Sequence, residues 1–258
     1  TGGFVAVPPV VVANLLGIKT VIHEQTIDAG LANKISSKFA DKVCLTFKES
    51  EKYFPKNKVI VTGIPLREKI YQSDIDGAKK RFGFDYSRPT VFFTGGGLGC
   101  HTLNKISLRV IPLLLEKVNV IYQSGNSNEG EDYRLLEEMA SKLSSEKRAN
   151  FKLFNFVNDE IADIFKITDL AIGRSGAGTV CELAALKIPA IFIPLAIATK
   201  NEQYKNAKLL SDIGSAIIIE ETNLNENFLI GTIESILFTD KLSIMKNNFE
   251  KMKSIDGR

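Results

Sequence analysis

The segment Gly173-Arg174-Ser175-Gly176-Ala177-Gly178-Thr179-Val180-Cys181-Glu182 gathers the residue types that hold a nucleotide. It follows the apolar run Leu170-Ala171-Ile172 and opens a run with helical character. A strand that ends in small residues and turns into a helix presents free backbone N–H groups, and these, with the helix dipole, favour a phosphate. Glu182 adds a carboxylate that can accept from the hydroxyls of a ribose. The plain alternative is a capped helix with a surface Glu and an Arg in a salt bridge. A second loop, Thr94-Gly95-Gly96-Gly97-Leu98-Gly99, also follows an apolar run and precedes a helical one. Consecutive glycines permit a phosphate to approach the backbone. The loop is not a Walker A motif, since no Lys-Ser/Thr follows, nor a strict dinucleotide fingerprint. Its alternative is a tight turn with no ligand. Two such loops at the carboxyl edge of one parallel sheet would line a single crevice.

Other polar groups fall near predicted strand ends. His23-Glu24-Gln25 closes an early strand and offers candidate acid, base or hydrogen-bonding groups, although a lone His in a turn is often structural. His101 follows the glycine loop, within reach of a phosphate. Arg67 lies two residues past Pro65, placed to reach into an interdomain cleft or simply to be solvated. Gln203 and Asn206 fall on a helix after Pro194. The stretch from Leu31 to Ala40, with Lys34, Lys38 and Lys42, forms an amphipathic helix whose basic face is either solvated or turned toward anionic lipid.

The elements that must position these residues read as α/β. Nine β-rich runs are predicted: Lys19–His23, Lys42–Phe47, Lys58–Thr62, Thr90–Thr94, Asn119–Gln123, Phe151–Asn155, Asp169–Gly173, Ala190–Pro194 and Ser215–Ile219. Helix-length segments lie between most of them, including Leu103–Leu115, Tyr133–Leu143, Glu160–Lys166, Thr179–Leu186 and Glu202–Ser211. The alternation predicts parallel sheets covered by helices. The charged stretch 65–89 breaks the rhythm and reads as a linker with one short helix. It divides a partial N-terminal domain (1–64) from a C-terminal domain (90–239). The run 240–258 is expected to pack back across the junction.

Composition sets limits on partners and chemistry. The chain has 258 residues, 33 basic and 30 acidic side chains and a net charge of +3, too balanced to argue for nucleic acid. Its three cysteines, Cys44, Cys100 and Cys181, lack metal-ligand spacing, and free thiols are expected. The apolar stretch from Phe4 to Ile18 is interrupted by Pro8, Pro9 and Asn14 and is too short to span a membrane. The start at Thr1-Gly2-Gly3, in a turn leading directly into a helix, suggests residues upstream.

Together these residues resemble one family, the bacterial UDP-N-acetylglucosamine:N-acetylmuramyl-(pentapeptide) pyrophosphoryl-undecaprenol N-acetylglucosamine transferases (the MurG family). The matching pieces run in order through nearly the whole chain. They are Gly2-Gly3-Phe4, His23-Glu24-Gln25, Ala29-Gly30-Leu31 with Asn33-Lys34, Gly63-Ile64-Pro65-Leu66-Arg67, Gly95–Gly99 with Leu103-Asn104, and Arg174-Ser175-Gly176-Ala177 with Thr179, Val180 and Glu182. Pro194, Gln203, Asn206 and Ala207 complete the series.

The resemblance implies two Rossmann-like domains facing a cleft, the glycosyltransferase B arrangement, with the first domain incomplete. It implies an inverting hexosyltransferase that moves N-acetylglucosamine from its UDP carrier to lipid I, giving lipid II for peptidoglycan. No tightly bound cofactor and no metal are expected. The partners implied are the UDP-sugar, the undecaprenyl-pyrophosphoryl-muramyl-peptide acceptor and the cytoplasmic face of the inner membrane. Carried over by motif, Arg67 and Gly95, Gly96 and Gly97 meet the donor diphosphate, and Val157 lies beside the uracil. Arg174, Ser175 and Gly176, with Ala177, Gly178, Thr179, Val180, Cys181 and Glu182, surround the ribose and phosphate. Gln203 faces the sugar. Thr26 joins the donor set at a position where the family usually has Asn. His23 and Glu24 are the candidate catalytic groups on the acceptor side. Chemically, transfer requires a base for the acceptor hydroxyl and positive groups for the departing diphosphate.

Three departures stand out besides Thr26. The family's N-terminal glycine-rich loop with its His has no counterpart in this sequence, so little transfer is expected from residues 1–258 alone. Gly97-Leu98 replace a Ser-Gln pair, and Leu195-Ala196-Ile197-Ala198-Thr199 replace a His-Gln element. Two other readings are a related transferase with another UDP-sugar or lipid acceptor, and a non-catalytic or split-enzyme UDP-binding half.

Overall fold

The computed structural model describes residues 3–196 and 201–252. Gly2 and Ile197–Thr199, cited in the sequence comparison, and the end of the 240–258 run lie outside the described residues. Two parallel sheets form. The first has the order β1 (Val21–Glu24), β2 (Lys42–Leu45), β3 (Val59–Val61). The second contains β4 (Thr90–Thr94), β5 (Asn119–Gln123), β6 (Phe151–Phe154), β7 (Leu170–Gly173), β8 (Ala190–Phe192) and β9 (Ala216–Ile218), in the spatial order β6-β5-β4-β7-β8-β9. Each of the nine expected strands is present.

The second sheet has the sequence character of a doubly covered parallel sheet. Every residue of β4 and β5 is buried, including Phe92, Phe93 and Tyr122. Alternation along β4 sends Phe92 to one face and Val91 and Phe93 to the other. The Phe92 face is covered by α4 (Ile75–Phe82), α8 (Ile161–Ile167), α9 (Ala177–Ala185) and α10 (Glu202–Asp212). The opposite face is covered by α5 (His101–Leu114), α6 (Glu131–Ser141), α11 (Glu226–Leu237) and Met245 of α12 (Lys241–Asn248). The remaining helices are α1 (Val7–Leu15), α2 (Leu31–Phe39), α3 (Lys69–Gln72) and α7 (Ser145–Ala149).

The stretch 65–89 is more than a connection. It forms two helices, α3 and α4, and Ile70, Ala78, Phe82 and Phe84 sit in the same core as Phe92 and Phe165. Ala78 and Phe82 are four residues apart, so one helix face carries both into that core. Asp74 caps α4 by accepting from Gly77 N at 2.8 Å, and Gly83 ends it in the left-handed conformation. Phe47 and Ile64 of the smaller unit join that core. The polar contacts of α12 and the turn after it go to the larger unit: Lys246 to Asp169, Asn248 to Gly214 O, and Lys187 to Glu250.

The smaller unit has its own core of Ile22, Ala29, Ala40, Val43, Leu45 and Phe54. Helix α1 buries none of its residues, and Phe4, Val5, Leu15 and Leu16 beside or within it are strongly exposed. Among the described residues, no helix is long and apolar enough to cross a membrane.

Candidate functional site

Strands β4 and β7 are neighbours, yet the chain leaves β4 toward β5 and β6 and leaves β7 toward β8 and β9. This is a topological switch point, where open α/β sheets form a crevice at the carboxyl edge. Register places Thr94 opposite both Gln123 and Gly173, so the strand ends are level and both glycine loops emerge side by side. Close approach explains Gly173: a Cβ there would lie 1.8 Å from Thr94 O. Gly99 has φ +77°, and a Cβ on it would meet Ser124 O at 2.4 Å. Backbone packing therefore presses the start of the β7 loop against the end of β4, and the glycine loop after β4 against the loop after β5.

Helix α9 starts at Ala177 with Gly176 as its N-cap and no side-chain cap. The first hydrogen bond into this turn is Val180 N to Gly176 O at 3.0 Å. The preceding amides of Ala177, Gly178 and Thr179 have no partner within the helix, and they form the anion-favouring end that the sequence predicts. Glu182 follows one turn later, with its side chain 17 % exposed. Arg67, reaching over from the stretch after β3, donates from Nη2 to Glu182 Oε1 at 3.2 Å. Burial raises the Glu182 carboxyl above its ordinary value, and Arg67 opposes that rise. The start of α9 thus presents a carboxylate, which can accept from hydroxyls, and a guanidinium, which can meet an anion, facing each other.

Other members of the predicted set are placed differently. The side chains of Val180 and Cys181 are fully buried in the core, leaving their main chain alone near the crevice. Burial pushes the Cys181 thiol up to about 12, so it is no nucleophile. Ser175 is also fully buried, and its hydroxyl donates to Gln203 O at 2.7 Å. Gln203 Oε1 accepts from Leu195 N at 3.0 Å. Arg174 is in the salt bridge that its alternative reading anticipates: Nη2 meets Glu221 Oε1 at 2.7 Å and Nη1 donates to Ile193 O at 2.9 Å. Gly95 is buried, Gly96 is half-buried, and Gly97 and Leu98 are exposed on the loop, with Leu98 88 % exposed. Val157 is half-buried against the core that holds Val180.

On the opposite side, β1 delivers His23 and Glu24. Glu24 is 4 % exposed. Its Oε1 accepts from Thr26 N (3.2 Å) and Thr26 Oγ1 (3.0 Å), and its Oε2 from Gly30 N (3.0 Å) and Asn33 Nδ2 (3.0 Å). The carboxylate thus organises the turn into α2. Thr26 is used inside that turn, its hydroxyl also 2.8 Å from Asp28 O. His23 Nε2 lies 3.0 Å from Gly63 O. A carbonyl only accepts, so in this contact Nε2 carries the hydrogen. His101, its side chain more than half exposed, holds Nδ1 2.9 Å from Asp132 Oδ1, and that carboxylate sits in a buried network with Asn104 and Ser127.

Four residues where the two units meet were not singled out by sequence. Lys205 of α10 pairs with Asp28 of the smaller unit, and Tyr53 Oη donates to the same carboxylate at 2.7 Å. Those two hydrogen bonds hold the Asp28 carboxyl below its ordinary value. Glu202, beside Gln203, is raised by burial and by facing Glu24 and Asp28. Position between two units, not residue spacing, makes these groups neighbours, and a single sequence carries no direct signal of it.

Comparison with known proteins shows the family. Residues 90–257 match the glycosyltransferase family 28 C-terminal domain, and residues 1–45 match the N-terminal domain of the same family. The UDP-N-acetylglucosamine--N-acetylmuramyl-(pentapeptide) pyrophosphoryl-undecaprenol N-acetylglucosamine transferase of Borrelia turicatae is 34% identical over 100% of this chain and 67% of its own length. Its namesake in Clostridium tetani is 34% identical over 97% of this chain and 64% of its own length. Among solved structures, Acinetobacter baumannii MurG superposes with a TM-score of 0.72 at 28% identity, covering 99% of this chain and 70% of that one. UDP-GlcNAc 2-epimerase from Neisseria meningitidis, at 13% identity and a TM-score of 0.67 over 97% of this chain and 69% of its own, shares the fold. A glycosyltransferase B-type fold, a crevice at the switch point and matches to both family domains together place this chain in glycosyltransferase family 28.

Proposed function

We propose that this chain binds UDP-N-acetylglucosamine in the larger unit and serves the inverting transfer of N-acetylglucosamine to a lipid-linked muramyl-peptide acceptor, lipid I, in peptidoglycan synthesis. The observation that carries the reading is the pairing of Arg67 with Glu182 beside the uncapped start of α9. Donor binding exchanges partners: Glu182 accepts from the ribose hydroxyls and Arg67 turns to the diphosphate. The N–H groups of α9 and Arg67 then stabilise negative charge as UDP departs. Gln203, with its oxygen on Leu195 N, keeps its amide N–H groups for the sugar. Donor site residues are Arg67, Gly95–Gly97, Val157, the backbone of 174–181, Glu182 and Gln203. Glu24 acts by shaping the acceptor-side turn.

The smaller unit faces the acceptor and the cytoplasmic surface of the membrane. Exposed Phe4, Val5, Leu15 and Leu16 support this, as do Lys34 and Lys38 on α2 and Lys42 just beyond it. Ligand-observed NMR tests the donor assignment. Saturation transfer from protein to the uracil and ribose protons of UDP-N-acetylglucosamine is expected, displaced by UDP and not by ADP. Equal displacement by both nucleotides would reject a uridine site.

A further inference from the structure

The carboxylate of Glu221 collects contacts from three other strand-end loops at the carboxyl edge of the larger sheet. It lies just after β9. Its Oε1 meets Arg174 Nη2, from the loop after β7, at 2.7 Å, with both side chains under a fifth exposed. Its Oε2 lies 3.4 Å from Ala196 N, from the loop after β8. Thr102, in the first turn of α5 after the β4 loop, also hydrogen-bonds it. Arg174 in turn donates to Ile193 O, and the neighbouring Leu195 N is held by Gln203. Leu195 and Ala196, the residues described just after β8, are thus held by two polar hooks, Gln203 and Glu221.

We infer that Glu221 is a positioning residue for the sugar end of the donor site. It draws the Arg174 guanidinium to one side of the crevice and, through Ala196, fixes the backbone at 195–196 against which the Gln203 side chain is set. The inference rests on the donor reading for its consequence but not for its geometry. A guanidinium this buried needs its counter-ion, and removing one partner leaves an unpaired charge. The backbone N–H of Ala196 loses a charged acceptor at the same time.

Two variants test it. Glu221→Gln removes the charge. Glu221→Asp keeps the charge, and with it the fold, but is too short to reach Arg174 and Ala196 together. Amide exchange read by NMR at Leu195 and Ala196 is expected to accelerate about tenfold or more in both variants, the size expected for losing a hydrogen bond to a charged group. Affinity for UDP-N-acetylglucosamine should fall about tenfold while affinity for UDP stays within about twofold, because the sugar end alone is disturbed. A purely structural role would weaken both ligands equally. Unchanged exchange at Leu195 and Ala196 in Glu221→Asp overturns the inference, whether or not Glu221→Gln folds. Equal loss for UDP and UDP-N-acetylglucosamine also overturns it. Accelerated exchange in a protein whose wild type binds neither ligand would leave Glu221 as the loop's anchor and reject the donor reading instead.

Discussion

Replacing Gly173 by alanine should open the site at its base. The added Cβ would sit 1.8 Å from Thr94 O, whereas real Cβ contacts essentially never fall below 3.0 Å. The ends of β4 and β7 must therefore separate by more than an ångström. Two backbone hydrogen bonds lie in the path: Arg174 N to Thr94 O at 3.3 Å, and Ile193 N to Gly173 O at 2.8 Å. Overpacking of this kind costs about 1–3 kcal/mol. Weakening two hydrogen bonds adds about 1 kcal/mol each. The expected loss is about 3–5 kcal/mol, a fall in melting temperature of about 10–15 °C for a chain of this size. Thermal unfolding followed by circular dichroism measures it. Gly97→Ser is the matched control: a Cβ at Gly97 would make only an ordinary contact with Phe156 at 3.8 Å. It should change stability by no more than about 0.5 kcal/mol. If Gly173→Ala melts within about 2 °C of wild type, the strand ends are not packed as described, and the side-by-side placement of the glycine loops fails with them.

Glu24→Ala should destabilise by about 2–4 kcal/mol, because the N–H groups of half-buried Thr26, of Gly30 and of buried Asn33 lose their shared acceptor; thermal melts with no change would restore Glu24 as a purely chemical group. The Glu182 carboxyl, raised in the fold, contributes stability that is present at low pH and lost as pH rises through its folded value. UDP affinity should accordingly fall as pH drops through that value, above the ordinary 4.5, and a binding curve flat from neutral pH down past 4.5 would contradict the carboxylate as ribose acceptor. Asp28 is shifted the other way, so its contribution is present above the ordinary 3.8 and lost as pH falls through the lower folded value. A double-mutant cycle on Asp28→Asn and Lys205→Met should return a coupling of about 0.5–1 kcal/mol at neutral pH, and zero coupling would remove this link between the units.

The strands of the larger sheet were legible because buried parallel strands leave a dense local signal. Runs such as Thr90–Thr94 and Asn119–Gln123 are β-branched and aromatic, and each is bounded by a turn residue or a charged stretch. The paired glycine loops were legible for the same local reason. The 65–89 stretch holds two helices where one short helix is expected, and its packing was not legible, since Phe82 and Phe84 look like isolated aromatics in a charged stretch until α8 packs on them. Within the 173–182 segment, motif alone treated every residue alike. Packing separates them: Val180 and Cys181 turn to the core, Ser175 to Gln203, and Glu182 to the crevice. Arg174 and Glu221 are 47 residues apart, and Lys205 and Asp28 are 177 apart. Such pairs depend on how strands are ordered and units face each other, which no local window contains.

Calorimetric titration of UDP into the folded wild-type protein, beside Glu182→Ala, tests the donor site most directly. Saturable binding with one site per chain is expected for wild type, weakened about tenfold or more in the variant by loss of a charged acceptor. No heat of binding to folded wild type, or equal affinity for both proteins, would contradict a nucleotide site at the β4/β7 switch point.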